Sequence, residues 1–220
     1  MGRSQDDAVL VIGLGRFGSA LAEMLEELGR EVLGIDLSPK LVQEYSGKLT
    51  HVVEGDGTDA ETLAQLGAKE FRRAVVAIGA DIEASILATA ALSDLGIEQI
   101  WTKAITEAHG RILERVGAHH VVFPEHDMGE RVAHRVTGRM IDYVELDEGF
   151  ALVETSPPRA ICGKPLGETG VRKRYGVTVV CIKPSGESFT YATAETIVGP
   201  DDILVVAGET DKAEAFAELD

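Results

Sequence analysis

The sequence predicts an α/β fold: a six-stranded, doubly wound parallel sheet followed by a small α+β lobe. Three observations carry that expectation. From Ala8 to Pro124 short Val/Ile-rich runs alternate with helix-like segments, the pattern of repeated βαβ units. The first of those runs, Ala8–Ile12, is apolar throughout, as a strand covered on both faces is. After Tyr143 the rhythm changes to strands separated by Ser156-Pro157-Pro158, Pro184-Ser185-Gly186 and Gly199-Pro200-Asp201-Asp202, all turn formers. A chain of 220 residues is long enough for one large domain or two small ones.

Ala8–Ile12 reads as the first strand and leads into Gly13, where a helix begins. Leu21, Leu25 and Leu28, with Met24 beside them, give that helix a buried stripe, and Gly29 ends it. Val32–Asp36 is the second strand. Ser38-Pro39 then supplies an N-cap and a proline at the first helical position. Val52–Asp56, Ala74–Ile78, Ile100–Lys103 and Val121–Pro124 are expected as strands three to six. The helices between them fall near Ala60–Leu66, Ala84–Leu95 and Glu107–Val116. Met128, Val132, Val136 and Met140 recur every fourth residue, which predicts one amphipathic helix over His126–Met140. Beyond it, Val177–Ile182 and Ile203–Ala207 read as strands, with a short helix around Leu166–Tyr175 and a terminal one from Lys212. The organisation expected is a nucleotide-binding domain over 6–125, a crossover helix over 126–141 and a C-terminal lobe over 142–220.

Composition excludes several classes. A net charge of −16 argues against nucleic acid, whose binding needs a basic stripe. The short run Arg172-Lys173-Arg174 reads as a solvated face. Cys162 and Cys181 form no CxxC pair, and the six histidines show no metal-ligand spacing. No signal-peptide core and no run of ~20 apolar residues is present, so a cytosolic protein is expected.

The chemistry starts at Val11-Ile-Gly-Leu-Gly-Arg-Phe-Gly18. This is a G-x-G-x-x-G turn between a strand and a helix, the Rossmann fingerprint. Gly13 allows the tight turn, Gly15 lets the backbone approach a phosphate, and Gly18 seats the helix against its strand. The helix N-terminus offers free N–H groups and a positive dipole end to an anion. Asp36 closes the next strand, where its carboxylate can accept ribose hydroxyls and disfavours a 2′-phosphate. An adenine nucleotide is therefore expected, with NAD, ATP, ADP and AMP all open. Arg16, inside the loop, can fork onto a phosphate oxygen, which suits a charged terminal phosphate. The ends of later strands face the same crevice: Asp56 and Gly57, then Ile78, Gly79 and Ala80, then Lys103. His109 reaches the crevice only if its helix starts there. Glu125, after the sixth strand, can pair with a lysine or hold a hard cation that bridges to phosphate oxygens. The C-terminal lobe contains no histidine and no acid/base constellation, which favours a non-enzymatic role. The rival reading is an NAD-dependent oxidoreductase of the same fold, and a third is a free-standing nucleotide or second-messenger sensor.

These segments also resemble a known family. The glycine turn, Glu31-Val-Leu-Gly-Ile-Asp36, Val76–Ala80, Ile100–Ala104, Val116-Gly117-Ala118, Pro124–Gly129 and Arg172–Gly176 look like RCK domains, regulators of potassium conductance. The closest type is the cytosolic gating subunit of bacterial Ktr/Trk potassium uptake systems. The resemblance implies a homo-oligomer, from dimer to octameric ring, docked peripherally on a separately encoded potassium channel subunit in the cell membrane. It implies ATP or ADP, with NAD/NADH as the alternative, and Mg2+ or another cation at Glu125 by the terminal phosphate. By position, Arg16 approaches the terminal phosphates, while Asp36, Asp56, Gly57 and Ile78 to Ala80 surround the adenosine. Lys103, His109 and Glu125 line the rest, and Phe17 and Leu37 complete the set. Some relatives bind cyclic di-AMP between C-terminal lobes, where Arg172 matches a phosphate contact. Pro165–Gly170 departs there from the more apolar segment of known binders.

Overall fold

The structure is a computed structural model that describes residues 7–136, 140–147 and 149–220. The chain divides into two compact units, the first ending at Glu125 and the second beginning at His126.

In the first unit the strands are β1 (Val9–Ile12), β2 (Val32–Asp36), β3 (His51–Glu54), β4 (Arg73–Val76), β5 (Gln99–Lys103) and β6 (His120–Val122). They form one parallel sheet in the order β3-β2-β1-β4-β5-β6. The chain leaves β1 for β2 on one side and returns to β4 on the other, so a crevice opens at the carboxyl ends of β1 and β4. Helices α1 (Arg16–Glu27), α2 (Pro39–Tyr45), α3 (Ala60–Gln65), α4 (Ile82–Asp94) and α5 (Glu107–Arg115) connect the strands.

The two faces of the sheet carry separate cores. Val9 and Val11 point to one face, packing with Leu14, Ala22 and Leu49, while Leu21, Leu25 and Leu41 close its edge. Leu10 and Ile12 point to the other, against Leu63 of α3 and Ala88 and Leu92 of α4. This alternation explains why β1 is apolar at every position: each residue enters one core or the other.

The predicted stripe on α1 is corrected in part. Met24 and Leu28 are exposed, at 51% and 69%. The line that touches the sheet runs through Gly18, Ser19 and Ala22, because small residues let the helix backbone come close and large ones then flank the contact. Ser38 caps α2 as expected, its Oγ accepting from Leu41 N–H at 3.5 Å. The fourth helix begins earlier than predicted, at Ile82, because Asp81 Oδ1 accepts Ala84 N–H at 3.0 Å and acts as its N-cap.

Helix α6 (Pro124–Val136) starts on the last residues of the first unit and continues into the second. The predicted end at Met140 is corrected. Met128, Val132 and Val136 form its exposed apolar stripe, whereas Met140 is the first residue of a strand and is buried in the C-terminal core. Residues 137–139, between them in sequence, lie outside the described set.

The second unit is an antiparallel sheet of β7 (Met140–Asp147), β8 (Phe150–Thr155), β9 (Thr178–Lys183), β10 (Thr190–Tyr191) and β11 (Ile203–Glu209), ordered β10-β9-β11-β8-β7. Val153, Leu204, Val206 and Ile182 meet Ala213 and Phe216 of the terminal helix α9 (Thr210–Ala217) in its core. The helix expected near 166–175 is two short helices, α7 (Leu166–Thr169) and α8 (Val171–Tyr175). Gly170 separates them with φ +62°, a left-handed conformation that no continuous helix contains. Among the described residues no helix is long and apolar enough to cross a membrane.

Candidate functional site

The carboxyl ends of β1, β2, β4 and β5 open onto one cleft of about 430 Å³. Its floor is the glycine turn. Gly13 has φ +92°, and its N–H donates to Ile35 O at 2.8 Å, which ties the end of β1 to β2. Gly18 touches Gly13 so closely that a Cβ there would overlap the Gly13 carbonyl oxygen. Gly15 differs from both. It is the N-cap of α1, in extended conformation, with no side-chain cap and no atom within 4 Å of where its Cβ would be. The space over Gly15 is therefore open on the cleft side, and the first turn of α1 contains no acidic residue. Free N–H groups, a helix dipole and the Arg16 guanidinium converge there, a setting that attracts an anion.

Asp36 is held by the backbone. Leu14 N–H donates to its Oδ2 at 2.6 Å and Ser38 N–H to its Oδ1 at 2.8 Å. Each oxygen keeps a further lone pair, enough to accept one hydroxyl apiece from a vicinal diol. Asp56 turns its Oδ1 to Thr58, accepting from N–H at 2.9 Å and from Oγ1 at 2.7 Å, so it shapes its own loop. Gly57 is packed against Ile12 with no room for a side chain.

At the far side, Lys103 Nζ donates to Glu125 Oε1 at 2.5 Å. Lys103 is 8% exposed, whereas the Glu125 side chain is 65% exposed. This hydrogen bond holds the Glu125 carboxyl below the usual carboxylate range; burial opposes the shift, and the charges of Lys103 and Arg16 add to it. Among the described residues no group of three or more His, Cys, Asp or Glu gathers to hold a metal.

Two domain families match the chain: TrkA-N over residues 9–124 and TrkA-C over residues 150–219. The chain is an RCK protein of the Ktr/Trk type. Ktr system potassium uptake protein C of Bacillus subtilis (strain 168) is 39% identical over 207 residues, covering 94% of both chains. Ktr system potassium uptake protein A of the same organism is 35% identical over 98% of both. The solved GsuK channel shares the fold at TM-score 0.70 and 21% identity; this RCK protein is covered in full and spans 40% of that chain. A GsuK channel bound to NAD aligns at TM-score 0.65 and 20% identity, over 99% of this chain and 40% of that one. GsuK bound to ADP aligns at 0.53 and 20%, over 61% and 35%.

Of the residues singled out by sequence, the RCK protein's cleft is lined by Gly13, Gly15, Arg16, Phe17, Asp36, Leu37, Asp56, Gly57, Ile78, Gly79, Ala80, Lys103 and Glu125. Gly18 lies beneath it as packing. His109 is not brought to the lining. It is 2% exposed, its Nδ1 accepts Ile105 N–H at 3.5 Å, and burial pushes its pKa below the ordinary histidine value. Arg172 belongs to the other unit, where it borders a shallow depression with Lys173, Gly170 and Thr193. Sequence reasoning passed over Leu41, Thr58, Asp81 and Ala84 as lining residues. Asp81 was recoverable as an N-cap at the end of the β4 loop. Leu41 was not, since a helix residue two positions past Pro39 carries no signal for a ligand.

Proposed function

We propose that this chain is a cytosolic regulatory subunit of a potassium-uptake system, which senses adenine nucleotides in the cleft and controls a separate membrane channel subunit. The observation that carries the reading is one cleft with an open helix N-terminus beside Arg16 and, one strand away, a carboxylate pre-set by two backbone N–H groups. Its relatives are potassium uptake proteins of the Ktr system, and GsuK, which shares the fold, binds NAD and ADP in solved structures. In this reading the site residues are the lining set named above. Asp36 takes the ribose, Gly13, Gly15 and the α1 N-terminus take the phosphates, and Arg16 reads the terminal one.

A ligand shifts a two-state assembly only by its differential affinity for the two states. Arg16 supplies such a difference between ATP and ADP. A cation between Glu125 and the γ-phosphate would enlarge it. The exposed stripe Met128, Val132 and Val136 on α6 supports a homo-oligomer, dimer to octameric ring, since an unpartnered apolar stripe is an interaction surface. Cyclic di-AMP at Arg172 is the finer proposal for the C-terminal lobe.

Calorimetric titration of ATP and ADP into the wild type and Arg16→Ala tests the nucleotide reading. Loss of ATP/ADP discrimination in the variant supports it, and unchanged discrimination removes Arg16 from the mechanism. Native mass spectrometry with ATP, ADP, NADH and cyclic di-AMP reports ring size and ligand choice together. Turnover of NADH with a small carbonyl compound would overturn the regulatory reading in favour of a dehydrogenase.

A further inference from the structure

Among the described residues, Lys103 is the only buried lysine or arginine. Its ammonium carries three N–H donors, of which one meets Glu125 and the others meet no acceptor among the described residues. Packing fixes its position. A Cβ built on Gly79 would stand 3.0 Å from Nζ and 3.1 Å from Cε, so the stem lies flush on that backbone. The Phe17 ring centroid is 5.7 Å from Nζ. Glu125 is the opposite case: mostly exposed, in the first turn of α6, and free to turn toward water. A buried charge requires a partner, and here the partner is the exposed member of the pair.

We propose that Glu125 is a built-in competitor for the ligand's phosphate: the Lys103–Glu125 ion pair closes the phosphate end of the cleft, and a nucleotide binds there by taking Lys103 from Glu125. This rests on the nucleotide reading above and adds which charges exchange partners. A ligand that ends at the ribose leaves the pair intact. One that carries phosphates gains Lys103 and gives up the pair, and its binding frees the carboxylate that begins α6. Phosphate at Lys103 and a cation at Glu125 then favour each other, because each removes the partner that the other must displace.

The test is titration of the full chain with ADP and with adenosine, in EDTA, so that no divalent cation contributes. Glu125→Gln keeps an oxygen acceptor for Lys103 but removes the charge. It should tighten ADP roughly fivefold, as the loss of one partly exposed ion pair implies, and leave adenosine unchanged. Lys103→Met should weaken ADP by about 10-fold to 100-fold, the span for a charge-assisted hydrogen bond. Glu125→Gln added to Lys103→Met should then change nothing, because the carboxylate acts through the amine. Weakened or unaltered ADP binding in Glu125→Gln overturns the competition. So does an equal gain in the Lys103→Met background. Should Lys103→Met fail to fold, the Glu125→Gln comparison between ADP and adenosine decides alone. If the wild type binds neither ligand, the nucleotide reading itself falls; if it binds ADP while Glu125→Gln is silent, only the competition falls.

Discussion

Asp36 and Lys103 close two strands of one sheet, β2 and β5, three strand spacings or about 14 Å apart. The chain fixes them by different means. Asp36 is gripped by two backbone N–H groups on either side of it in sequence, at Leu14 and Ser38. Lys103 is gripped by side chains and by the bare backbone of Gly79, and its charge is answered by a residue that solvent reaches. One end is therefore part of the fold, and the other is the ion pair proposed above to exchange partners with a ligand. A site that recognises a common group and discriminates among variable ones needs both.

Substitutions can break this contrast. Gly18→Ala places a Cβ on the Gly13 carbonyl oxygen, and backbone cannot yield as a side chain can. Its cost should reach about 3 kcal/mol, at the upper end for overpacking. Urea denaturation measures this, and an unchanged midpoint would show that the turn is not held by that contact. Asp36→Ala should cost about 2 kcal/mol, since it leaves two N–H groups without their charged acceptor. It should also abolish both adenosine and ADP binding by calorimetry. Gly79→Ala acts on the other end. The atom that it meets is the tip of a lysine, so stability should move by less than ~1 kcal/mol, as for most substitutions away from a rigid contact. ADP affinity should nonetheless fall several-fold while adenosine affinity holds. Equal losses for both ligands would erase the distinction between the two ends.

The smallest expected effect sharpens the comparison from outside the cleft. His109 has its pKa lowered by burial, so the unfolded chain takes up a proton that the folded one refuses. That loss of stability begins as pH drops through the unfolded value near 6.5 and continues down to the folded value. Glu125 shifts the same way from a lower start, and its contribution is lost only as pH falls below the ordinary carboxylate range. His109→Gln should flatten the fall of Tm between about pH 7 and 5 without altering ADP affinity at pH 7. A change in ADP affinity would return His109 to the site.

The half of the molecule that was legible in the sequence is the half whose geometry demands unusual residues. Gly13 must take a positive φ and Gly18 must have no side chain, so the turn announces itself. β1 is apolar at every position because two cores claim it. Elsewhere the signals mislead. Met140 sits on the period of α6 but is claimed by the core of the second unit. Met24 and Leu28 keep helical spacing on α1 but flank a contact made by small residues. The hairpin β7–β8 carries a weak sequence signal, since its inward positions include Ala151 and Thr155, which do not read as core alone. Lys103 and Glu125 meet only because β5 and β6 pair with Lys103 beside Val122, a register that no local pattern encodes.

The two N–H bonds to Asp36 also have a kinetic consequence. They join the loops after β1 and β2, so the carboxylate proposed to take the ribose is in position before any ligand arrives. Encounter at that end then involves no ordering step, and affinity differences fall mostly on dissociation. Under the proposed function, the cell's nucleotide ratio would be read mainly as residence time.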